Sequence, residues 1–163
     1  VRIPLELSAR SVAEAVRAVD GYAGSLAPKC RTLCKRLAEA GVEAAVADVR
    51  KDTGELAAGI HVEEFGDSSY LVVSDGDHAA FVEFGTGVVG RGTYPGELPA
   101  EWGYDERRTP SAHDEKDPTR WYYRDREGAV RSTRGQTANA YMAGASDQMR
   151  ARALAIAREV FAT

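Results

Sequence analysis

The residues with the greatest chemical capacity fall in one stretch of the chain: His61, Glu63, Asp75, Asp77, His78 and Glu83. If the alternating segment around Ile60 pairs with the run Tyr70-Leu71-Val72-Val73-Ser74, His61 and Glu63 share one strand face and the rest lie just past the paired strand. Imidazoles and carboxylates so grouped could hold a divalent metal and serve a metal-dependent hydrolase or nuclease. Outer sheet faces and hairpin ends collect charged residues in any case, and no tight motif such as HExxH accompanies the group.

The segment Gly85-Thr86-Gly87-Val88-Val89-Gly90 spells the GxGxxG dinucleotide fingerprint, with Asp105 about 20 residues on. That motif works because its last glycines open a helix whose N-terminus holds a pyrophosphate, whereas Arg91-Gly92-Thr93-Tyr94-Pro95-Gly96 follows here and opposes a helix. Cys30 and Cys34, the only cysteines, are spaced i, i+4 on a helical segment. Two thiols are half of a structural zinc site, so they read as small apolar residues packed in a core. No serine sits in a GxSxG elbow. No catalytic, cofactor-binding or metal-ligating residue is assigned, and no cofactor is expected.

Trp102, Tyr104, Trp121, Tyr122 and Tyr123 lie among Arg107, Arg108, Arg120 and Arg124. Aromatics mixed with arginine suit a protein interface or base stacking on RNA. Eight acidic residues between 101 and 136 cancel the positive charge, which favours a protein partner and makes Trp102, Tyr104, Arg107, Arg108 and Trp121 candidate interface residues. The whole chain, at net charge −4, lacks the cationic surface that grips nucleic acid, and residues 59 to 100 are acidic, with seven acids against Arg91 alone.

These residues must be carried by elements that 163 residues can build as a single domain, 1–163, around one core. No apolar run approaches the length of a membrane span, and the N-terminal residues lack the pattern of a signal peptide, so a soluble, unexported protein is expected. The opening VRIPLEL alternates like a short edge strand. Ser11 and Glu14 form a capping box that starts a short helix with the stripe Val12, Val16 and Val19, ended by Asp20-Gly21 and Gly24-Ser25. Pro28 suits the first turn of a second helix, whose stripe is Cys30, Leu33, Cys34, Leu37, Ala38, Gly41 and Ala45 and which runs to about Val49.

After the turn at Asp52-Thr53-Gly54 the period becomes two, with Ile60, Val62 and Phe65 apolar, and Gly66 to Ser69 joins this strand to Tyr70–Ser74 as a hairpin. His78 to Phe84 is a strand or a short buried helix, since seven residues do not separate the two periods. Residues 85 to 120, with six glycines and four prolines, read as irregular, and the part from about 88 to 119 as a long loop reserved for assembly. Trp121-Tyr122-Tyr123 and Ala129 to Ser132 predict a second hairpin, and Met142, Ala145, Met149, Ala153, Ile156 and Val160 stripe a final helix. The fold class is α+β, with N-terminal helices and a C-terminal helix packed on a small antiparallel sheet beside a long irregular loop.

The run His78-Ala-Ala-Phe-Val-Glu-Phe-Gly-Thr-Gly87 resembles the signature of a phage family. Its members, gene-product-ten-like tail components of long-tailed phages and prophages, carry an alanine-aromatic-V/I-E-F-G-T-G stretch after a β-hairpin and are minor neck or tail-completion proteins. The Asp52-Thr-Gly-Glu-Leu56 turn, the strand at Gly59-Ile-His-Val62, Trp121-Tyr122-Tyr123 and Gly135-Gln-Thr-Ala-Asn-Ala-Tyr-Met142 look similar as well, so the likeness runs over roughly residues 28 to 160. The chain departs at Ala140, where many relatives have proline.

This resemblance implies a structural virion protein at the neck or tail that joins heads to tails or completes tails. It would be soluble in the host cytoplasm before assembly, act as a homo-oligomer in a sixfold ring, and contact other neck, portal or tail proteins. It implies no catalysis, no membrane and no sequence-specific nucleic acid, with DNA free to pass through the ring. Phe81, Val82, Glu83, Phe84, Gly85, Thr86 and Gly87 are then structural signature residues. Glu83, a carboxylate in an apolar run, must be paired or exposed. The rivals are the hydrolase or nuclease described above and a regulatory module that binds protein or RNA.

Overall fold

A 40-residue helix, α1 (Ala9–Asp48), opens the computed structural model, which describes residues 8–100, 102 and 112–162. The VRIPLEL segment lies outside the described residues. The two expected N-terminal helices are therefore one, about 60 Å long. Its cap is Ser8, whose hydroxyl accepts the Ser11 amide at 3.2 Å, and Glu14 pairs with Arg10 rather than reaching back to Ser11. Gly21 and Gly24 do not end the helix, because eleven alanines and many straight-chain residues in the segment favour it. Pro28 sits inside it, where it forfeits a hydrogen bond.

Only the C-terminal half of α1 is packed. Ala38, Ala40, Gly41 and Ala45 are buried there, whereas Cys30 is exposed and Cys34 half-exposed, so the cysteine pair is not core. The cores lie further along the chain, and α1 turns other residues toward them.

A single turn, α2 (Glu55–Ala58), leads into β1 (Ile60–Glu64), which pairs antiparallel with β2 (Tyr70–Ser74), placing Ile60 opposite Ser74 and Val62 opposite Val72. Ile60 and Val72 pack against Val42, Ala45, Val46 and Val49 of the helix end. Phe65 falls outside the strand and is exposed, since the turn begins there with its amide donating to Ser69.

His78 to Phe84 resolves as helix, α3 (Ala79–Phe84), and a further turn, α4 (Gly87–Gly90), follows it. The second hairpin, β3 (Trp121–Arg124) with β4 (Val130–Thr133), forms a separate two-stranded sheet. β5 (Gly135–Gln136) bridges back to Thr86 and Gly87.

The last helix, α5 (Tyr141–Ala162), runs antiparallel along α1, with Ile156 and Val160 packed against Leu33, Leu37 and Ala40. Arg36–Glu159 and Glu43–Arg152, at 2.6 and 2.9 Å, border the contact on the surface. Such exposed pairs contribute up to about 1 kcal/mol each and mainly fix register. Gly41 of α1 lets the elements come close: a Cβ there would lie 2.5 Å from Met149 Sδ of α5 and 3.0 Å from Val72 Cγ2 of β2, so both side chains would have to shift. The architecture is α+β, as expected, with α1 as the spine shared by the sheet and α5. Among the described residues no helix is long and apolar enough to cross a membrane.

Ala140, just before α5, has a φ of 52°, a left-handed conformation that proline cannot reach. We expect Ala140→Gly to raise the melting temperature by a few degrees, by relieving about 1 kcal/mol of strain, and Ala140→Pro to lower it. Thermal unfolding followed by circular dichroism checks both signs.

Candidate functional site

The signature segment meets the approach to α5 in space, 50 to 60 residues away in sequence. Glu83 is 5% exposed, the one charged side chain buried among the described residues. Its carboxylate accepts the Met142 amide at 2.8 Å and the Ala143 amide at 3.0 Å, and Tyr94 donates its hydroxyl at 3.4 Å. The first amides of a helix have no partner within it, and the positive end of the helix dipole favours an anion there. Glu83 is thus the N-terminal cap of α5, delivered from α3.

Backbone bonds repeat the connection. Val82 and Glu83 carbonyls accept the Asn139 and Ala140 amides at 2.8 and 3.1 Å. Asn139 in turn accepts the Arg50 amide at 2.7 Å and donates to the Asp48 carbonyl at 3.2 Å, while the Arg50 guanidinium donates to the Thr137 carbonyl and hydroxyl. The ends of α1 and α3 and the start of α5 therefore meet at one junction. Tyr141, 1% exposed, hydrogen-bonds Ser74 of β2 at 2.8 Å, and burial pushes its phenol above the ordinary range. Tyr94 is raised in the same way by burial, and then by the Glu83 charge.

Gly85 and Gly87, at φ 75° and 63°, adopt backbone angles that favour glycine. A Cβ at Gly85 would come within 2.7 Å of the Ala138 nitrogen, and one at Gly87 would run into the Arg134 carbonyl and the Trp121 ring. Thr86 accepts the Gln136 amide through its hydroxyl at 3.2 Å, and the Gln136 side chain donates to the Phe81 carbonyl at 3.1 Å. Both polar side chains of the signature, Glu83 and Thr86, are engaged with the chain itself.

Trp102 packs on α3. Its ring lies 5.6 Å from Phe81 and 5.1 Å from Phe84, and its N–H donates to the Gly85 carbonyl at 3.1 Å. Tyr94 meets Phe84 edge-on at 5.0 Å, and Thr93 accepts the Ala138 amide at 2.8 Å, so the segment after α4 is tied to the body at residues 93, 94 and 102. Trp121 is half-buried against Gly87, with the His113 ring 6.0 Å away. Tyr104, Arg107 and Arg108 lie outside the described residues.

The polar group read as a possible metal cluster divides. His61 contacts the Gly59 carbonyl at 3.0 Å, Glu63 at 3.3 Å and Asp75 at 3.8 Å, and its pKa is raised by the carbonyl first and Glu63 second. His78 opens α3, its ring 6.3 Å from Phe81, and Glu83 is committed to α5. Among the described residues, no group of three or more His, Cys, Asp or Glu side chains is placed to hold a metal ion. An open hollow of about 680 Å³ lies beside Glu83, lined by Phe84, Tyr94, Tyr141 and Arg150 among others, and the carboxylate at its edge already has three donors.

Arg50, Tyr94 and Asn139 carry no sequence signal for their part in this junction. Asn139 was visible only as a letter in the motif before α5, and nothing in its spacing reveals that it spans two helix ends.

At the base of the second hairpin Asp117 accepts from Thr119 and from Arg134, and these bonds hold its carboxyl at about 2. Its folded pKa is below the unfolded one, so the contact is complete above about pH 4 and is lost as pH falls through about 2. A carboxyl-detected NMR titration is expected to find that midpoint, and Arg134→Ala to move it upward. An Asp117 midpoint near 4 in the parent protein would show the pairing to be absent.

Residues 9–85 match the family model described as "Bacteriophage HK97-gp10, putative tail-component". No curated protein and no solved structure matches the chain. The matched stretch runs from the start of α1 through the sheet and α3 to Gly85, and contains the Val82-Glu83-Phe84-Gly85 part of the signature whose contacts organise the junction. Over residues 9–85 the chain is accordingly similar to the HK97-gp10-like family of phage tail components.

Proposed function

We propose that this protein joins heads to tails, or completes tails, as one subunit of a closed ring of six identical chains in a tailed phage or prophage. The observation that carries this reading is the use made of the signature: its glycines, threonine and glutamate bind α3, β5 and α5 to one another, and both of its polar side chains are spent on the chain itself. A segment so spent makes a rigid subunit, which is what a structural part of a virion requires.

Identical subunits in a ring meet through heterologous contacts that must close. The protein is soluble in the host cytoplasm before assembly, binds other neck, portal or tail proteins, reads no nucleic-acid sequence, and lets DNA pass through the ring. The loop from about 88 to 119 supplies assembly contacts. Its two ends are anchored through Tyr94, Trp102 and Trp121, so the contacts to partners fall to the residues between, among them Tyr104, Arg107 and Arg108.

A phage whose copy of this chain is deleted is expected to accumulate filled heads and separate tails, and purified protein to restore joining. Intact tailed particles without the chain would overturn the proposal. The triple change Tyr104→Ala, Arg107→Ala, Arg108→Ala should leave the melting temperature within about 2 °C of the parent and lower incorporation into particles at least about tenfold. Normal incorporation would remove these residues from the interface.

A further inference from the structure

The N-terminal half of α1 is an apolar helical row that nothing among the described residues covers. Val12, Val16, Val19, Ala23 and Leu26 recur at alternating steps of four and three, and the same steps carry on through Cys30 to Leu33, Leu37 and Ala40. In the second part of the row the partner is known: Leu33, Leu37 and Ala40 pack against Ile156, Val160 and Phe161 at the end of α5. Beyond that end α1 continues for more than 20 residues, about 30 Å or more, and no residue from Ala9 to Thr32 is buried. Val16 and Val19 are each 53% exposed.

The spacing says what kind of surface the row fits. A straight helix drifts about 20° per heptad against a strict seven-residue repeat, so a row held in phase from Val12 to Ala40 belongs to a helix packed lengthwise on another helix. One stretch of that row has α5 against it, and the other presents the same seam empty. The positions flanking the open stretch are Ala13, Ala15, Asp20 and Tyr22, and charges on residues 9 to 27 balance, with Arg10 and Arg17 against Glu14 and Asp20. The −4 charge of the whole chain is absent from this arm, so nothing there repels an identical copy. Val16 at one seam position with Leu26 at the other follows the preference of two-stranded coiled coils, from which Val12 and Val19 depart.

We infer that the arm of α1, from Val12 to Leu26, pairs with the same arm of a second copy of this chain, seam to seam. An isologous contact of this kind uses one surface on both partners. It does not rest on the ring proposal and joins two subunits whether or not they belong to rings.

The full chain and its Val16→Asp, Val19→Asp variant are compared by light scattering over a range of concentrations. The parent is expected to hold twice as many copies as the variant: two against one for free subunits, twelve against six if rings form. Charges placed in a desolvated seam should raise the dissociation constant of the pair about a hundredfold or more. Both residues lie off the core, so the variant should retain the parent's helical circular dichroism. Leu154→Asp, on the exposed side of α5, should leave the pairing intact. Equal copy numbers for parent and variant, in rings or out of them, would overturn the inference. So would loss of pairing in the Leu154→Asp control, or a variant that unfolds when Val16→Ser, Val19→Ser stays folded and still pairs as the parent does. Failure of particle assembly with pairing intact would count against the tail reading alone.

Discussion

Glu83→Ala is expected to lower the melting temperature by about 6 to 12 °C. The substitution leaves the Met142 and Ala143 amides without their acceptor at the buried start of α5 and frees the Tyr94 hydroxyl. A buried donor left unpaired costs about 1 to 3 kcal/mol, so two of them cost about 3 kcal/mol or more. In a chain of this size each kcal/mol shifts the midpoint by about 2 to 4 °C. Glu83→Gln keeps the shape but turns an amide group toward one of the two helix amides, and should fall between the parent and the alanine variant. Thermal unfolding by circular dichroism measures the series. Melting of both variants within about 2 °C of the parent would show that the carboxylate does not cap α5.

The second large effect concerns β5. Gly135 has a φ of 104°, and a Cβ there would run into the Thr86 carbonyl on the adjacent backbone. Gly128, in the turn of the second hairpin, has a φ of 82° but no atom within 4 Å of its Cβ position. Gly128→Ala thus meets only the left-handed penalty, about 1 to 2 kcal/mol. Gly135→Ala meets that penalty and must also part the bridge to Thr86 and Gly87, with an expected total above about 3 kcal/mol. The comparison separates backbone strain from close approach. Equal losses in denaturant unfolding of the two variants would mean that the β5 bridge is looser than the structure has it.

The two variants also probe different links. Loss of Glu83 acts on the start of α5, whereas loss of Gly135 acts on the path from the second hairpin into the junction. If the signature is the lock that organises the subunit, both should reduce incorporation into particles in step with their loss of stability.

Much of the local structure was legible because it is set by short-range periodicity. The β1–β2 hairpin followed from alternation around Ile60 and Val62 facing Tyr70–Ser74, and the buried side of α5 from the i, i+3, i+4 recurrence of Ala145, Met149, Ile156 and Val160. Glu83 was legible as a carboxylate that needed a partner, because an apolar neighbourhood charges a fixed penalty for an unpaired anion. Its partners were not, since they are amides of residues 142 and 143, which carry no side-chain signal for that role.

Elsewhere local signals misled. Gly21, Gly24 and Pro28 read as the boundary between two helices, but propensity is a small energy per residue and the surrounding alanines outweigh it in α1. Phe65 read as the continuation of a strand face, and the turn at 65 to 69 decided otherwise. Cys30 and Cys34 read as core because they share the apolar row of α1, yet α5 ends too soon to cover Cys30.

The sequence by itself determined the types of the long helices and of the two hairpins, the α+β class, the apolar rows and the likeness to phage tail components, because each depends on neighbours within a few positions or on a contiguous motif. Only the tertiary structure decided which rows are covered, that the two signature motifs interlock, and that Gly41, Gly87 and Gly135 stand where other chain segments pass. Those outcomes depend on the approach of residues far apart in the chain, and the distance between such residues is set by the packing of whole elements rather than by any pattern local to them.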